Sequence, residues 1–190
     1  MLSLGEQPKP HKGCLLISEP FLPDPNFERT VVLICEHNID GTIGFVLNKP
    51  AALMLPDVLD EARGLDVPLY TGGPVQQDTL HFIHYGNLQL DNQQEVQPGI
   101  YWGGNHEQLF TAINVRRVDP TQIRFFMGYS GWSAGQLEDE IAEGSWIVHP
   151  KAAINQVFHQ TAESLWREVL KDKGGRYRAF SNYPTDPRLN

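Results

Sequence analysis

The chain has 190 residues, 41% of them hydrophobic, 10% aromatic and 20% charged, with a formal net charge of −8. That is the profile of one globular domain with enough residues to bury a core without a metal or a disulfide, and it excludes a disordered, collagen-like or disulfide-stapled chain. The acidic balance argues against non-specific nucleic-acid binding, which needs a positive surface.

Residues 1–12 are polar with two prolines and read as a loose arm ahead of a single domain over 13–190. The opening MLSLGEQPKPHKG has no long apolar stretch and no small-residue cleavage site, so a cytoplasmic protein is expected. Gly13 to Ser18 reads as a strand and the proline-rich Pro20 to Asn26 as a loop. Thr30 to His37 is nearly unbroken and β-branched, as in a strand buried on both faces. Its longest apolar run, Val31 to Cys35, is far too short to span a membrane. Asn38-Ile39-Asp40-Gly41 signals a turn, and Thr42 to Asn48 is apolar again, which makes an antiparallel hairpin.

A short helix is expected next, with Pro56 in its first turn, Val58, Leu59 and Ala62 inward, and Gly64 as its stop. Val67 to Thr71 and Thr79 to Tyr85 read as strands separated by Gly72-Gly73-Pro74, Asn87 to Pro98 as a loop, and Ile100 to Trp102 as a strand. Asn105 with Gln108 opens a helix with Leu109, Phe110 and Ile113 inward. Ile123 to Tyr129 is a strand. Ser133 with Gln136 forms a second capping box, with Leu137 and Ile141 inward. Trp146 to His149 is a strand, followed by a short helical segment after Pro150. Ala162 to Lys173 is the strongest helix, because Ala162, Leu165, Trp166, Val169 and Leu170 share one stripe and Gly174-Gly175 ends it. Residues 176–190 read as an irregular tail. Strands and helices mix without a regular βαβ alternation, so the class is α+β.

Chemistry-bearing patterns are few. Gly131-Trp132-Ser133-Ala134-Gly135 fits G-x-S-x-G between a strand and a helix, the setting of a nucleophile elbow, with His149 and His159 and with Asp139, Asp172 and Asp186 further on. A small serine hydrolase built on Ser133 is therefore one reading. The other makes Ser133 the N-cap of the helix, with Gln136 closing the box. His81 and His84 are three apart in a strand, so their side chains take opposite faces and do not chelate one ion. No H-E-x-x-H, C-x-x-C or EF-hand loop occurs, so neither a metal nor a cofactor is expected. Cys14 and Cys35 sit in apolar runs as small buried hydrophobes. The acidic run Glu138 to Glu143 reads as a solvated helix face. Gly103-Gly104 and Gly128 to Gly131, each flanked by aromatics and followed by a capped helix, offer backbone N–H groups to a ligand.

Several segments together resemble the YqgE/AlgH family of small bacterial proteins. They are Gly13 to Ser18, Phe27 to Asn38, Gly44 to Pro50, Gly72-Gly73-Pro74-Val75, Gly128 to Trp132 with Gly135-Gln136-Leu137-Glu138, and the ending Asp186-Pro187-Arg188-Leu189-Asn190. The resemblance implies a single α+β domain with a mixed, bifurcated, barrel-like sheet flanked by helices. It implies no reaction and no catalytic residues. Some members carry a label as regulators of transcription, associated with control of alginate synthesis. In the family the position of Ser133 is not restricted to serine. Arg29, Glu36, His37 and Asn48 stand out in these segments, since strands and turns do not require those types.

The expectation is a non-enzymatic regulatory or adaptor protein acting through a protein partner or a small ligand, without direct binding of duplex DNA and without a membrane. Its candidate ligand-binding residues are Arg29, His37, Gly103, Gly104, Gly128, Ser130, Gly131 and Ser133. The two glycine segments are expected near each other at the ends of neighbouring strands, with His37 or Arg29 close by.

Overall fold

The computed structural model describes residues 6–185, so the first five residues of the expected arm and the ending from Asp186 to Asn190 lie outside it. In chain order the strands are β1 (Leu15–Ser18), β2 (Val31–Asn38), β3 (Gly41–Val46), β4 (Pro50–Met54), β5 (Pro68–Thr71), β6 (Val75–Tyr85), β7 (Gln94–Gln97), β8 (Ile100–Trp102), β9 (Ile123–Ser133) and β10 (Trp146–His149). The helices are α1 (His106–Asn114), α2 (Gln136–Ala142), α3 (Ala162–Lys173) and the single turn α4 (Tyr177–Phe180). The class is α+β, as expected.

The sheet runs β10-β1-β2-β3-β9-β6-β8-β7, with β4 and β5 branching from it. The branch point is β9. One edge of β9 pairs with β6, while the other is shared: β3 takes Ser130–Ser133 in antiparallel register and β5 takes Phe125–Met127 in parallel register. The sheet is thus bifurcated, and it is open, with β10 and β7 at its two ends.

Local chemistry explains most elements. In α1 the Asn105 side chain accepts from the Gln108 N–H, and in α3 the Thr161 side chain accepts from the Ser164 N–H. Leu165, Trp166, Val169 and Leu170 of α3 are buried against one side of the sheet, and the Trp166 indole donates to the Ser18 carbonyl at 3.0 Å. Helix α1 buries Leu109, Ala112 and Ile113 in a second core with Phe82 and Phe125. A third core gathers Trp132, Leu137 and Trp146 around β1 and β2. Cys14 and Cys35 are free and buried. Burial pushes the Cys14 thiol up to about 11 and raises Cys35 as well, so neither is a nucleophile at neutral pH.

Four expectations need correction. The helix expected from Pro56 is two separate 3-10 turns, Leu55–Asp57 and Asp60–Ala62, because Leu55 and Ala62 bury while Val58 points to solvent. The loop over Asn87 to Pro98 contains β7, a polar strand at the end of the sheet, and β4 also escapes the sequence reading. Strand β9 continues through Gly128 and Gly131 to Ser133 instead of ending at Tyr129. Residues 176–190, expected as an irregular tail, include the helical turn α4 (Tyr177–Phe180), while the short helical segment expected after Pro150 is present as the five-residue π-helical turn Asn155–His159.

Candidate functional site

The β2–β3 hairpin docks on the end of β9, and a bulge between Ile34 and Glu36 resets the pleat. Beyond it Glu36 faces Ile43 and Ile43 faces Gly131, while His37, Thr42 and Trp132 form the next row across. Successive rows take opposite faces of a sheet. On the first face Glu36, Ile43, Val75, Tyr129 and Gly131 border a cleft of about 360 Å³. Its rim is polar and acidic: Asn38 donates to Glu36 Oε1 at 2.9 Å, and the Asp40 N–H donates to Asn38 Oδ1 at 2.8 Å. Glycine at 41 is a steric requirement, since a Cβ there would sit 2.4 Å from the Trp132 carbonyl oxygen.

On the opposite face α2 holds the hairpin. His37 Nδ1 lies 2.7 Å from Thr42 Oγ1, and its Nε2 lies 3.5 Å from Glu138 Oε1. Glu140 Oε2 accepts from the Trp132 indole at 2.9 Å and the Trp146 indole at 2.8 Å, and Glu140 Oε1 accepts from Gln136 Nε2 at 2.9 Å. The acidic run of α2 is therefore not only a solvated face, because Glu140 is partly buried on the two indoles and Glu138, though exposed, lies beside His37.

Ser133 is not the N-cap of α2. The cap is Gly135, at φ 77°, and no side chain bonds there. Gln136 Oε1 accepts the Ser133 N–H at 3.0 Å and its hydroxyl at 3.1 Å, so half of the expected box exists but the serine donates where a cap would accept. The reason is the length of β9, which keeps Ser133 extended and leaves Ala134-Gly135 to make the turn. No histidine reaches the hydroxyl among the described residues. Both ring nitrogens of His37 are engaged, and His159 Nε2 lies 3.0 Å from the Tyr85 hydroxyl. His149 is engaged elsewhere, its Nε2 3.0 Å from Asp172 Oδ2. Ser133→Ala is accordingly expected to change stability by less than about 0.5 kcal/mol, the usual range for such surface changes. A fluorophosphonate probe is expected to leave Ser133 unlabelled, and stoichiometric labelling would overturn this.

The glycine segments have different roles from those expected. Gly103 and Gly104 follow β8, and the Gly103 N–H donates to the Phe82 carbonyl at 2.9 Å. Gly128 and Gly131 lie inside β9 and form no turn. A Cβ on Gly128 would lie 2.7 Å from the Val75 carbonyl oxygen and 2.9 Å from that of Gly73, so glycine is needed for the passing chain. Ser130 is buried, its hydroxyl donating to the Gly72 carbonyl at 3.0 Å. The two segments are not on neighbouring strands, because β6 runs between β8 and β9. They are linked instead through His81 of β6, whose ring centroid is 6.5 Å from Trp102 and 5.8 Å from Tyr129. Burial, with a smaller contribution from His106, lowers the His81 pKa, which keeps this ring neutral at pH 7. His84 takes the other face of β6, fully buried and stacked on Tyr101.

Arg29 lies apart from the cleft. Its guanidinium donates to the carbonyls of Tyr183 (2.8 Å) and Pro184 and sits 4.6 Å over the Trp166 ring, fastening the end of the described chain. Asn48 bonds Arg29 O and the Val31 N–H, each at 2.9 Å, and is likewise a structural tie. Of the four polar residues singled out in the sequence, Glu36 borders the cleft, His37 lies behind it on the opposite face of the sheet, and Arg29 and Asn48 lie apart from it. Among the described residues no group of three or more His, Cys, Asp or Glu is placed to hold a metal ion, and no helix is long and apolar enough to cross a membrane.

Residues 15–178 match the model of a protein family described as AlgH-like. A UPF0301 protein of Chlorobaculum parvum is 47% identical over 178 residues, covering 94% of this chain and 95% of the relative. A UPF0301 protein of Cytophaga hutchinsonii is 46% identical over 182 residues, covering 94% and 98%. The solution structure of the AlgH protein from Pseudomonas aeruginosa superposes with a TM-score of 0.71 at 28% identity, over 95% of this chain and 98% of that one. A crystal structure of a Corynebacterium diphtheriae protein gives a TM-score of 0.77 at 23% identity, over 94% and 95%, a likeness of fold alone.

Proposed function

The chain belongs to the AlgH-like family, and we propose that it is a non-enzymatic regulatory or adaptor protein of the cytoplasm that works by binding a partner protein. The observation that supports this is convergence. Glu36 and Asn38 of β2, Ile43 of β3, Val75 of β6, and Tyr129 and Gly131 of β9 come from four strands and border one cleft. The Thr42 hydroxyl meets His37 Nδ1 at 2.7 Å beside the cleft, but Thr42 is only 4% exposed, and its side chain takes the opposite face of the sheet. The chemistry of the cleft suits recognition: the carboxylate residues Glu36 and Asp40 border it together with the half-buried Tyr129. Acid and aromatic together select a cation, by charge and by cation–π attraction. The partner accordingly presents a lysine or arginine side chain. Any control of transcription then passes through that partner, since a net charge of −8 opposes phosphate contacts.

A tetra-arginine peptide is the probe. Titrated into the ¹⁵N-labelled protein, it is expected to shift the amides of Ile43, Tyr129 and Gly131, while a tetra-glutamate peptide shifts none. The Glu36→Gln, Asp40→Asn double variant is expected to bind it about tenfold more weakly, the size of losing charge-assisted bonds. Equal binding by the double variant, or shifts scattered over the surface, would defeat the reading. Duplex DNA at physiological salt is expected to give no mobility shift with the isolated protein. Sub-micromolar, sequence-dependent binding would defeat the indirect route.

A further inference from the structure

At the opposite end of β9 from the acidic cleft, a second cavity of about 310 Å³ opens where β5 and β9 begin. Its volume is at the lower end of small-molecule pockets, which span about 300–1,000 Å³. Tyr70 and Phe158 form apolar walls, Thr121 and His159 stand at its mouth, and Arg124 lines its inner part. Arg124 is the anomaly. It sits in the apolar run Ile123-Arg124-Phe125-Phe126-Met127 and is only 6% exposed.

A guanidinium at that depth is ordinarily paired with a carboxylate, because an uncompensated buried charge is costly. Arg124 has no ion pair among the described residues. Its Nη1 donates to the Leu47 carbonyl at 2.9 Å, its Nη2 makes a long 3.5 Å contact with the Phe158 carbonyl, and its carbon lies 4.4 Å over the Tyr70 ring. Neutral carbonyls and a ring face offset part of the charge. A guanidinium carries five N–H donors; two of those on Arg124 meet carbonyls, and its Nε, which has no hydrogen-bond partner, is not sealed from solvent. The guanidinium thus keeps donor capacity beyond these two contacts at a residue that lines the cavity. Burial lowers the Arg124 pKa from its usual value, which registers the same missing counter-charge. Asp66, the one carboxylate bordering the cavity, is exposed on its rim.

We infer that this cavity is a binding site for a small organic oxyanion, with the charged head on Arg124 and a flat apolar body between Tyr70 and Phe158. A carboxylate or a phosphate matches the planar fork of an arginine through paired N–H···O bonds. The Thr121 hydroxyl and N–H already donate to Asp119, so the further donor at the mouth is His159 through Nδ1, its Nε2 facing the Tyr85 hydroxyl. The site is independent of the acidic cleft and of the partner proposed for it, and it selects the opposite charge.

The test uses benzoate, phenyl phosphate and benzylamine, each titrated into the ¹⁵N-labelled full chain. The two anions are expected to shift Tyr70, Thr121, Arg124 and His159 and to leave Ile43 and Gly131 unmoved. Tighter binding of benzoate marks the natural head group as a carboxylate, and tighter binding of phenyl phosphate marks it as a phosphate. Arg124→Met is expected to weaken the anions at least about tenfold, the scale of a charge-assisted hydrogen bond. Should that variant fail to fold, Thr121→Trp decides, because position 121 is exposed and an indole there fills the mouth; it is expected to abolish the shifts. Anion binding that survives Thr121→Trp, or benzylamine binding as tightly as benzoate, overturns the inference. So does the absence of shifts with both anions at tens of millimolar.

Discussion

Replacing Gly72 with alanine is expected to destabilise the fold by about 3 kcal/mol, at the upper end of what overpacking a core costs. Gly72 is buried between β3 and β9. Its N–H donates to the Met127 carbonyl, and its own carbonyl accepts from the Val46 N–H, both at 2.9 Å. A Cβ on Gly72 would lie 2.3 Å from the Gly128 carbonyl oxygen and 2.9 Å from Phe45 Cδ1. The first contact is with backbone, so the clash cannot be relieved by turning a side chain. Relief requires β9 to move, and β9 carries the pairings of β3, β5 and β6 together. Gly64 is the control. It has φ +89° and nothing within 4 Å of a Cβ, so Gly64→Ala meets only backbone strain, about 1–2 kcal/mol. At about 2–4 °C per kcal/mol for a chain this size, melting should fall by roughly 6–12 °C for Gly72→Ala and by clearly less for Gly64→Ala. Equal losses at the two positions would mean that the close approach of the strands carries no particular weight.

Gly72 also shows where the sequence was readable and where it was not. Elements defined by local chemistry were legible. Helix α3 carries its cap, its stripe and its glycine stop within one stretch of chain, and it runs over Ala162–Lys173 as its pattern predicts. The β2–β3 hairpin declares itself by two apolar runs around Asn38-Ile39-Asp40-Gly41. Glycines were ambiguous, because the residue serves equally for a turn and for close approach of two strands. Gly128 and Gly131 look like a turn before a helix until the crossing Gly72–Val75 segment is known. Strand β4, with Ala52 at φ 55°, and the polar β7 lack alternation of apolar residues, so nothing local marks them. The candidate site was visible in part. Glu36 and His37 are residue types that a strand does not need, but the meeting of Glu36 with Val75 and Tyr129 depends on β9 pairing with both β3 and β6, and that of His37 with Glu138 on where α2 packs. Arg124 carried a signal of its own, one guanidinium inside an apolar run, whose meaning rests on the missing counter-charge and hence on the fold.

Glu140→Ala is expected to destabilise the fold by about 3 kcal/mol, within a range of about 2–5, since hydrogen bonds to a charged group contribute roughly 1.5–3 kcal/mol each. Glu140 is a single acceptor for two indoles that are almost wholly buried, Trp132 at 5% and Trp146 at 1% exposure. An indole N–H is a donor with no alternative role, so removing the carboxylate leaves two donors at a site with little access to water. The two rings pack edge to face at 5.8 Å and are both touched by Phe27, so neither can rotate to a new partner without opening the third core. The effect is transmitted to the hairpin: α2 loses its anchor, and with it Glu138 loses its fixed distance to His37. Glu140→Gln separates acceptor from charge. Its amide oxygen can still receive both indoles, so a loss near 1 kcal/mol is expected, the size of a typical neutral hydrogen bond. Urea titration monitored by tryptophan fluorescence reads both variants. If Glu140→Ala melts with the parent, the two indoles find water in the folded state and α2 is held by apolar contact alone.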